Sequence, residues 1–104
     1  MSEYIKKFTE ESFDKGIEKG TVVVDFYADW CGPCRMLTPI LEKVAAELQG
    51  QAAIVKIDID HAQKVASKYQ ITSVPTLILF KDGKEAGRLV GLRDADSVKE
   101  FISG

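Results

Sequence analysis

The run Thr21-Val22-Val23-Val24-Asp25-Phe26-Tyr27 restricts the fold more than any other segment. It is β-branched and aromatic, and its apolarity is continuous where a half-exposed strand would alternate. Such a strand needs a covering layer on each face. Soon afterwards the period changes. Between Pro33 and Gly50, residues Leu37, Ile40, Leu41, Val44, Ala45 and Leu48 recur every three or four positions and form one apolar helical face. Pro39 removes one backbone donor and is expected to kink this helix without ending it, because the periodicity continues past it. Gly50 follows the last apolar position, as helix stops often do.

Further strands are expected at Ala53 to Asp58, Thr76 to Phe80 and Glu85 to Val90, with a short first strand around Ile5 to Phe8. Asp82-Gly83 between the last two is a hairpin signal. Helices are expected over Thr9 to Lys19 with Thr9 as N-cap, His61 to Tyr69, and Asp94 to Ile102. Strand–helix alternation implies parallel strands with crossover helices, and the hairpin adds an antiparallel pair. The fold class is α/β: a mixed sheet of five strands with four helices distributed over both faces.

At 104 residues the chain is read as one domain spanning residues 1–104. Its 45% hydrophobic and 29% charged content excludes intrinsic disorder. Fourteen Lys and Arg against 16 Asp and Glu give a net charge of −2, which excludes a binder of nucleic acid or membrane surface that works by bulk positive charge. No apolar run approaches the roughly 20 residues of a membrane helix. The segment Met1-Ser2-Glu3-Tyr4-Ile5-Lys6-Lys7 lacks the apolar stretch of a secretory signal, so a reducing cytoplasm is the expected location.

The two cysteines stand in Trp30-Cys31-Gly32-Pro33-Cys34-Arg35, where the best strand hands over to the best helix. Open α/β sheets place their sites at such carboxyl ends. Residues three apart on a helical turn have Cβ atoms about 5–6 Å apart. A disulfide needs about 3.5–4.5 Å, so a small adjustment makes both dithiol and disulfide accessible. A purely structural disulfide would close so small a ring that it contributes roughly 2 kcal/mol, against about 4.7 for a 100-residue loop. A zinc site needs four ligands, and two Cys with the single His61 do not supply them within one chain. A redox couple explains the spacing better. Pro33 is favoured in a first helical turn, which places Cys31 at a helix N-terminus. Free N–H groups there favour a thiolate and make Cys31 the nucleophile. Cys34, one turn inside, is expected to be more buried and to resolve the mixed disulfide.

The segment Val24 to Arg35 closely resembles the active-site segment of the thioredoxin family, bacterial type, and Val74-Pro75-Thr76 resembles the family's second signature. Lys81-Asp82-Gly83 and Val90-Gly91 fall at later family landmarks, so the resemblance spans essentially the whole chain. It implies the thioredoxin fold and a general protein-disulfide reductase with a Cys31–Cys34 redox-active disulfide. Asp25 would accept the Cys34 proton, and Lys56 would be its charged neighbour. Gly32 and Pro33 would help set the potential. Pro75 would be cis, and Trp30, Val74, Pro75 and Gly91 would form the docking surface. The resemblance further implies no bound cofactor or metal, and electrons from an NADPH-dependent thioredoxin reductase. Its partners would be that reductase and diverse disulfide-containing proteins, with the chain acting as a monomer. A disulfide oxidase or isomerase, or a redox-silent interaction module on the same fold, is the alternative. The retained cysteines and the Gly-Pro between them favour the reductant. Tyr27 stands where the family usually has tryptophan, Arg35 replaces the commoner lysine, and Thr72 and Ser73 are also departures.

Several of these residues have plain structural readings as well. Asp25 could be a strand-end carboxylate reaching solvent, but its place inside an apolar strand favours burial and a general base. Lys56 could pair with it or extend along the surface. Trp30 is expected to be partly exposed, His61 to be a solvated residue at a helix start, and Met36 to pack in the interior.

Overall fold

The computed structural model describes residues 3–104; Met1 and Ser2, part of the polar N-terminal segment, lie outside the described residues. The elements run β1 (Ile5–Phe8), α1 (Phe13–Gly16), β2 (Thr21–Tyr27), α2 (Gly32–Glu47), β3 (Ala53–Asp58), α3 (Gln63–Lys68), β4 (Thr76–Lys81), β5 (Lys84–Val90) and α4 (Ala95–Ser103). The five strands form a mixed sheet in the order β1-β3-β2-β4-β5. β1 and β2 each pair with β3 in parallel. β4 is antiparallel to both β2 and β5.

β2 lies at the centre, and its uninterrupted apolarity reflects two cores. Val22, Val24 and Phe26 point into one, with Phe13 and Ile17 from the α1 side and Val65 of α3. Val23 points into the other, with Leu37, Leu41 and Val44 of α2 and Val98 and Ile102 of α4. The alternation of side chains across a strand thus sorts β2 between two layers. Phe13 is fully buried, with its ring 5.5 to 6.3 Å from those of Phe8, Phe26, Tyr69 and Phe80. Each such ring pair adds about 0.5–1.5 kcal/mol beyond area burial.

α2 continues through Pro39 as its periodicity predicts, because the apolar face survives the loss of one donor. The β4–β5 turn has Asp82 at φ 51° and Gly83 at φ 86°, the left-handed pair a two-residue hairpin requires. Asp82 also accepts a hydrogen bond from Gly20 N–H at 2.9 Å and ties this turn to the start of β2. At α4, Asp94 is the N-cap, and its carboxylate accepts from Ser97 N–H at 2.9 Å.

Two helices are shorter than the sequence suggests. The first is one turn, Phe13–Gly16, instead of Thr9 to Lys19. Thr9 caps no long helix. Its hydroxyl accepts from Ser12 N–H at 3.1 Å, while the Ser12 hydroxyl accepts from Thr9 N–H at 2.9 Å. These reciprocal bonds close a turn ahead of the helix. Gly16 is packed so tightly on Phe8 that an added Cβ would lie 2.3 Å from the ring. Tertiary contact, not helix propensity, selects glycine there, and so short a helix gains little from propagation. The third helix starts at Gln63 and not His61, because Ala62 has the non-helical angles φ −138°, ψ 56°.

Gly16→Ala is expected to destabilise the fold by about 1 kcal/mol. Alanine favours helix by up to about 1 kcal/mol, but a single turn realises little of this. Moving the Phe8 ring off Phe13 costs about 1–3 kcal/mol. Urea unfolding checks the sign, and a stabilised variant would show that the ring swings aside freely.

Candidate active site

The end of β2 leads through Ala28, Asp29 and Trp30 to Cys31, which is the N-cap of α2 with φ −92°, ψ 111°. Extended backbone at this position turns the side chain back onto the first helical turn. Cys34 N–H donates to Cys31 Sγ at 3.1 Å. This is the bond an N-cap oxygen usually accepts, so the sulfur occupies the place where the helix offers unsatisfied donors and positive potential. Pro33 follows within the first turn, where its missing N–H costs nothing.

Cys31 and Cys34 are joined as a disulfide with Cα atoms 5.3 Å apart. Their exposures, 4% and 3%, are nearly equal, so Cys34 is not the markedly more buried of the two. Tyr27 and Ala28 from the end of β2 form one buried cluster with both cysteines, and Ile59 and Val74 from segments distant in sequence pack against it. What distinguishes the cysteines is position along the helix, not depth. The Val74 carbonyl lies 3.7 Å from Cys31 Sγ, within reach of a thiol S–H when the pair is reduced. The Val74–Pro75 peptide bond is cis, and Gly91 N–H donates to the Pro75 carbonyl at 2.9 Å. Gly91 has φ +96°, a conformation that favours glycine. Cys31, Val74, Pro75 and Gly91 are therefore brought together from three separate parts of the chain.

Trp30 is 68% exposed, and its indole Nε1–H donates to Asp60 Oδ2 at 2.9 Å. Asp60 was not legible as a site residue, since nothing in the sequence pairs it with Trp30. Its loop is shaped by Asp58, a buried carboxylate that accepts from Asp60 N–H at 2.9 Å and contacts His61 Nδ1 at 3.0 Å. Burial pushes the Asp58 carboxyl up, but these hydrogen bonds outweigh it and hold the group below its ordinary value. His61 itself is exposed. Met36 is not interior packing as its type suggests: it is 61% exposed, beside the buried stripe Leu37, Leu41, Val44 and Ala45. Val90 and Leu92 are exposed as well. The Arg35 guanidinium is tied to the Asp29 carbonyl at 2.6 Å.

Asp25 is buried at 2% exposure in the central strand, and its Oδ1 has no hydrogen-bond partner among the described residues. Burial raises its pKa from 3.8 to about 7, with the nearby Lys56 charge acting in the opposite direction. Asp25 and Lys56 are register partners on β2 and β3. With Tyr27, Lys7, Leu41 and others they line a crevice of about 730 Å³. Lys56 Nζ lies over the Tyr27 ring, 4.8 Å from its centroid. Among the described residues no three His, Cys, Asp or Glu side chains converge on a common metal position, and no helix is long and apolar enough to cross a membrane.

Two sulfurs that can pass between dithiol and disulfide within one α/β fold define a thiol–disulfide oxidoreductase. The thioredoxin family model matches residues 4–104. The chain is 52% identical over 99 residues to thioredoxin of Chlamydia trachomatis serovar D, covering 95% of this chain and 96% of that one. It is 44% identical over 98 residues to thioredoxin of Staphylococcus aureus, covering 94% of each. A mutant thioredoxin from Halobacterium salinarum NRC-1 superposes with a TM-score of 0.86 at 42% identity, covering 95% of this chain and 88% of that one. The chain belongs to the thioredoxin family and is a protein-disulfide reductase. Membership brings with it two kinds of partner, a reductase and disulfide-containing substrates.

Trp30 is the only tryptophan in the chain, so its fluorescence reports on the site alone. Asp60→Ala is expected to lower its anisotropy while costing no more than about 1.5 kcal/mol, the scale of one exposed hydrogen bond. Unchanged anisotropy would mean that packing, not Asp60, holds the indole.

Proposed function

We propose that Cys31 is the attacking thiolate and Cys34 the resolving cysteine of a general, cytoplasmic disulfide reductase that acts as a single-domain monomer. The observation that carries the assignment is the 3.1 Å bond from Cys34 N–H to Cys31 Sγ at the N-cap of α2. A thiolate there is stabilised by the helix end, whereas Cys34 lies inside the turn. The Cys31 thiolate attacks one sulfur of the substrate disulfide. The substrate S–S bond breaks, the first substrate sulfur leaves and takes a proton, and a mixed disulfide forms. Asp25 accepts the Cys34 proton, and the Cys34 thiolate attacks Cys31 Sγ. The second substrate sulfur leaves as a thiol, and the Cys31–Cys34 disulfide remains. Two electrons and two protons must then be returned, a task for a thioredoxin reductase drawing on NADPH. Gly32 and Pro33, which set the geometry of the first turn, tune the potential of the couple.

Asp25 suits its role because a carboxyl titrating at about 7 can both take and release a proton near neutral pH. Substrate docks on Trp30, Val74, Pro75 and Gly91, joined by the exposed Val90 and Leu92. None of these is charged, and a backbone approaching Gly91 meets no side chain.

Cys31→Ser is expected to abolish reduction of a protein disulfide, and Cys34→Ser to accumulate a mixed disulfide on Cys31, read by mass spectrometry. An adduct on Cys34 forming as fast in Cys31→Ser would reverse the roles.

Asp25→Ala is expected to slow the resolving step and to stabilise the fold in a pH-dependent way. Well below the ordinary value of 3.8 the carboxyl is protonated in both folded and unfolded chains, and burial costs nothing extra. As pH rises toward 7 the unfolded chain ionises first, so the native protein loses stability. Above 7 the loss is complete, on the order of 4 kcal/mol at about 1.4 kcal/mol per pKa unit. The variant's advantage in urea unfolding should therefore be largest near pH 8 and vanish well below pH 4. A pH-independent difference would remove Asp25 from this role.

Docking on an apolar face should make reduction of an insulin-type substrate vary less than about tenfold between low and high salt. A steeper fall would assign recognition to the rim charges Asp29, Arg35 and Arg93.

A further inference from the structure

Lys7, Lys56 and Asp25 stand side by side across three strands. Lys7 is the register partner of Lys56, and Lys56 is the register partner of Asp25. Tyr27 is two residues beyond Asp25 and so projects from the same face of the sheet. Its ring has the Lys56 ammonium 4.8 Å from the centroid and the Lys7 ammonium 5.8 Å away. Side-chain hydrogen bonding to Tyr27 raises the Lys7 pKa above its ordinary value. The ring itself is buried, so its position is fixed by the core. Lysine side chains are long and flexible, and a half-buried one at the mouth of a crevice can extend into water. A cation on an aromatic face is attracted by the ring quadrupole, most strongly where solvent is partly excluded.

The groups that line this crevice with Asp25 and carry charge are Lys6 and Lys7 from β1, Asp29 after β2, Glu42 from α2 and Lys56 from β3. Burial raises the Asp25 carboxyl, and Lys56 is the charge that counteracts it. We propose that Tyr27 is a positioning residue for the proton step: its ring face holds the Lys56 ammonium at the crevice and thereby fixes the field that Lys56 exerts on Asp25. This rests on the reading of Asp25 as the proton acceptor. It assigns Tyr27 a task that neither docking nor the disulfide requires.

The test is a carbon-13 NMR titration of the Asp25 carboxyl in the oxidised protein, combined with substitutions. Tyr27→Phe keeps the ring and should leave the midpoint unchanged. Tyr27→Leu should raise it by a measurable fraction of a pH unit, because a Lys56 ammonium released from the ring exerts less of its lowering effect on Asp25. Lys56→Met should raise it at least as far, and Tyr27→Leu added to Lys56→Met should have no further effect. In the wild-type protein the Lys56 Hε signals should show the upfield displacement of protons over a ring, which decides the matter even if Tyr27→Leu does not fold. An undisplaced Hε signal overturns the proposal. So does a Tyr27→Leu midpoint that stays put, or a rise that persists in full without Lys56. The pH profile of the resolving step separates the two readings. If the NMR midpoints move as expected and the profile does not, Asp25 is not the acceptor, while the positioning of Lys56 by Tyr27 stands.

Discussion

The N-terminus of α2 is held against the carboxyl end of β2, and both the fold and the chemistry depend on that junction. β2 is fixed by two cores, so its last residues have little freedom. α2 is fixed by Leu37, Leu41 and Val44 packed on the same sheet. The short connection between them places Cys31 at the N-cap, with its sulfur on the N–H of Cys34. Moving the sulfur away from the helix end would require repacking one of two cores. Rigid packing thus makes a local electrostatic effect dependable.

The same arrangement explains why a carboxylate is tolerated in the central strand. An ionised group without hydrogen-bond partners is costly there. One Asp25 oxygen has no hydrogen-bond partner among the described residues, and burial raises the carboxyl's proton affinity. The crevice beside it admits Lys56 as a partial counter-charge without a direct ion pair. A full salt bridge would keep the carboxyl ionised and a poor store for a proton near pH 7; complete isolation would keep it protonated. A cation held nearby on the Tyr27 ring gives an intermediate result.

Elements with a strong period were legible in the sequence. β2, β3 and α2 follow from apolar patterns that local and tertiary preferences share, and the Asp82-Gly83 turn follows from its left-handed angles. The cysteine pair and its place at a helix start were legible from spacing and from Pro33. α1 was not, because the Gly16 contact with Phe8 is tertiary and leaves no local signal. The equal burial of Cys31 and Cys34 was hidden for the same reason, since Ile59 and Val74 come from distant segments. Met36 is different: it falls just off the stripe of Leu37, Leu41 and Val44, so periodicity did mark it as outward-facing while its residue type argued otherwise. Asp60 and the Tyr27–Lys56 contact depend on register between segments, which a single sequence does not encode in readable form.

The central claim is that the helix end, not depth of burial, makes Cys31 the reactive sulfur. Alkylation of the reduced protein across a pH series, with each adduct mapped by mass spectrometry, tests this most directly. Cys31 should react first, with a midpoint well below the value of about 8.5 for a free cysteine, and Cys34 should remain unmodified over that range. Equal reactivity at the two positions, or a Cys31 midpoint at the free-cysteine value, would contradict the account.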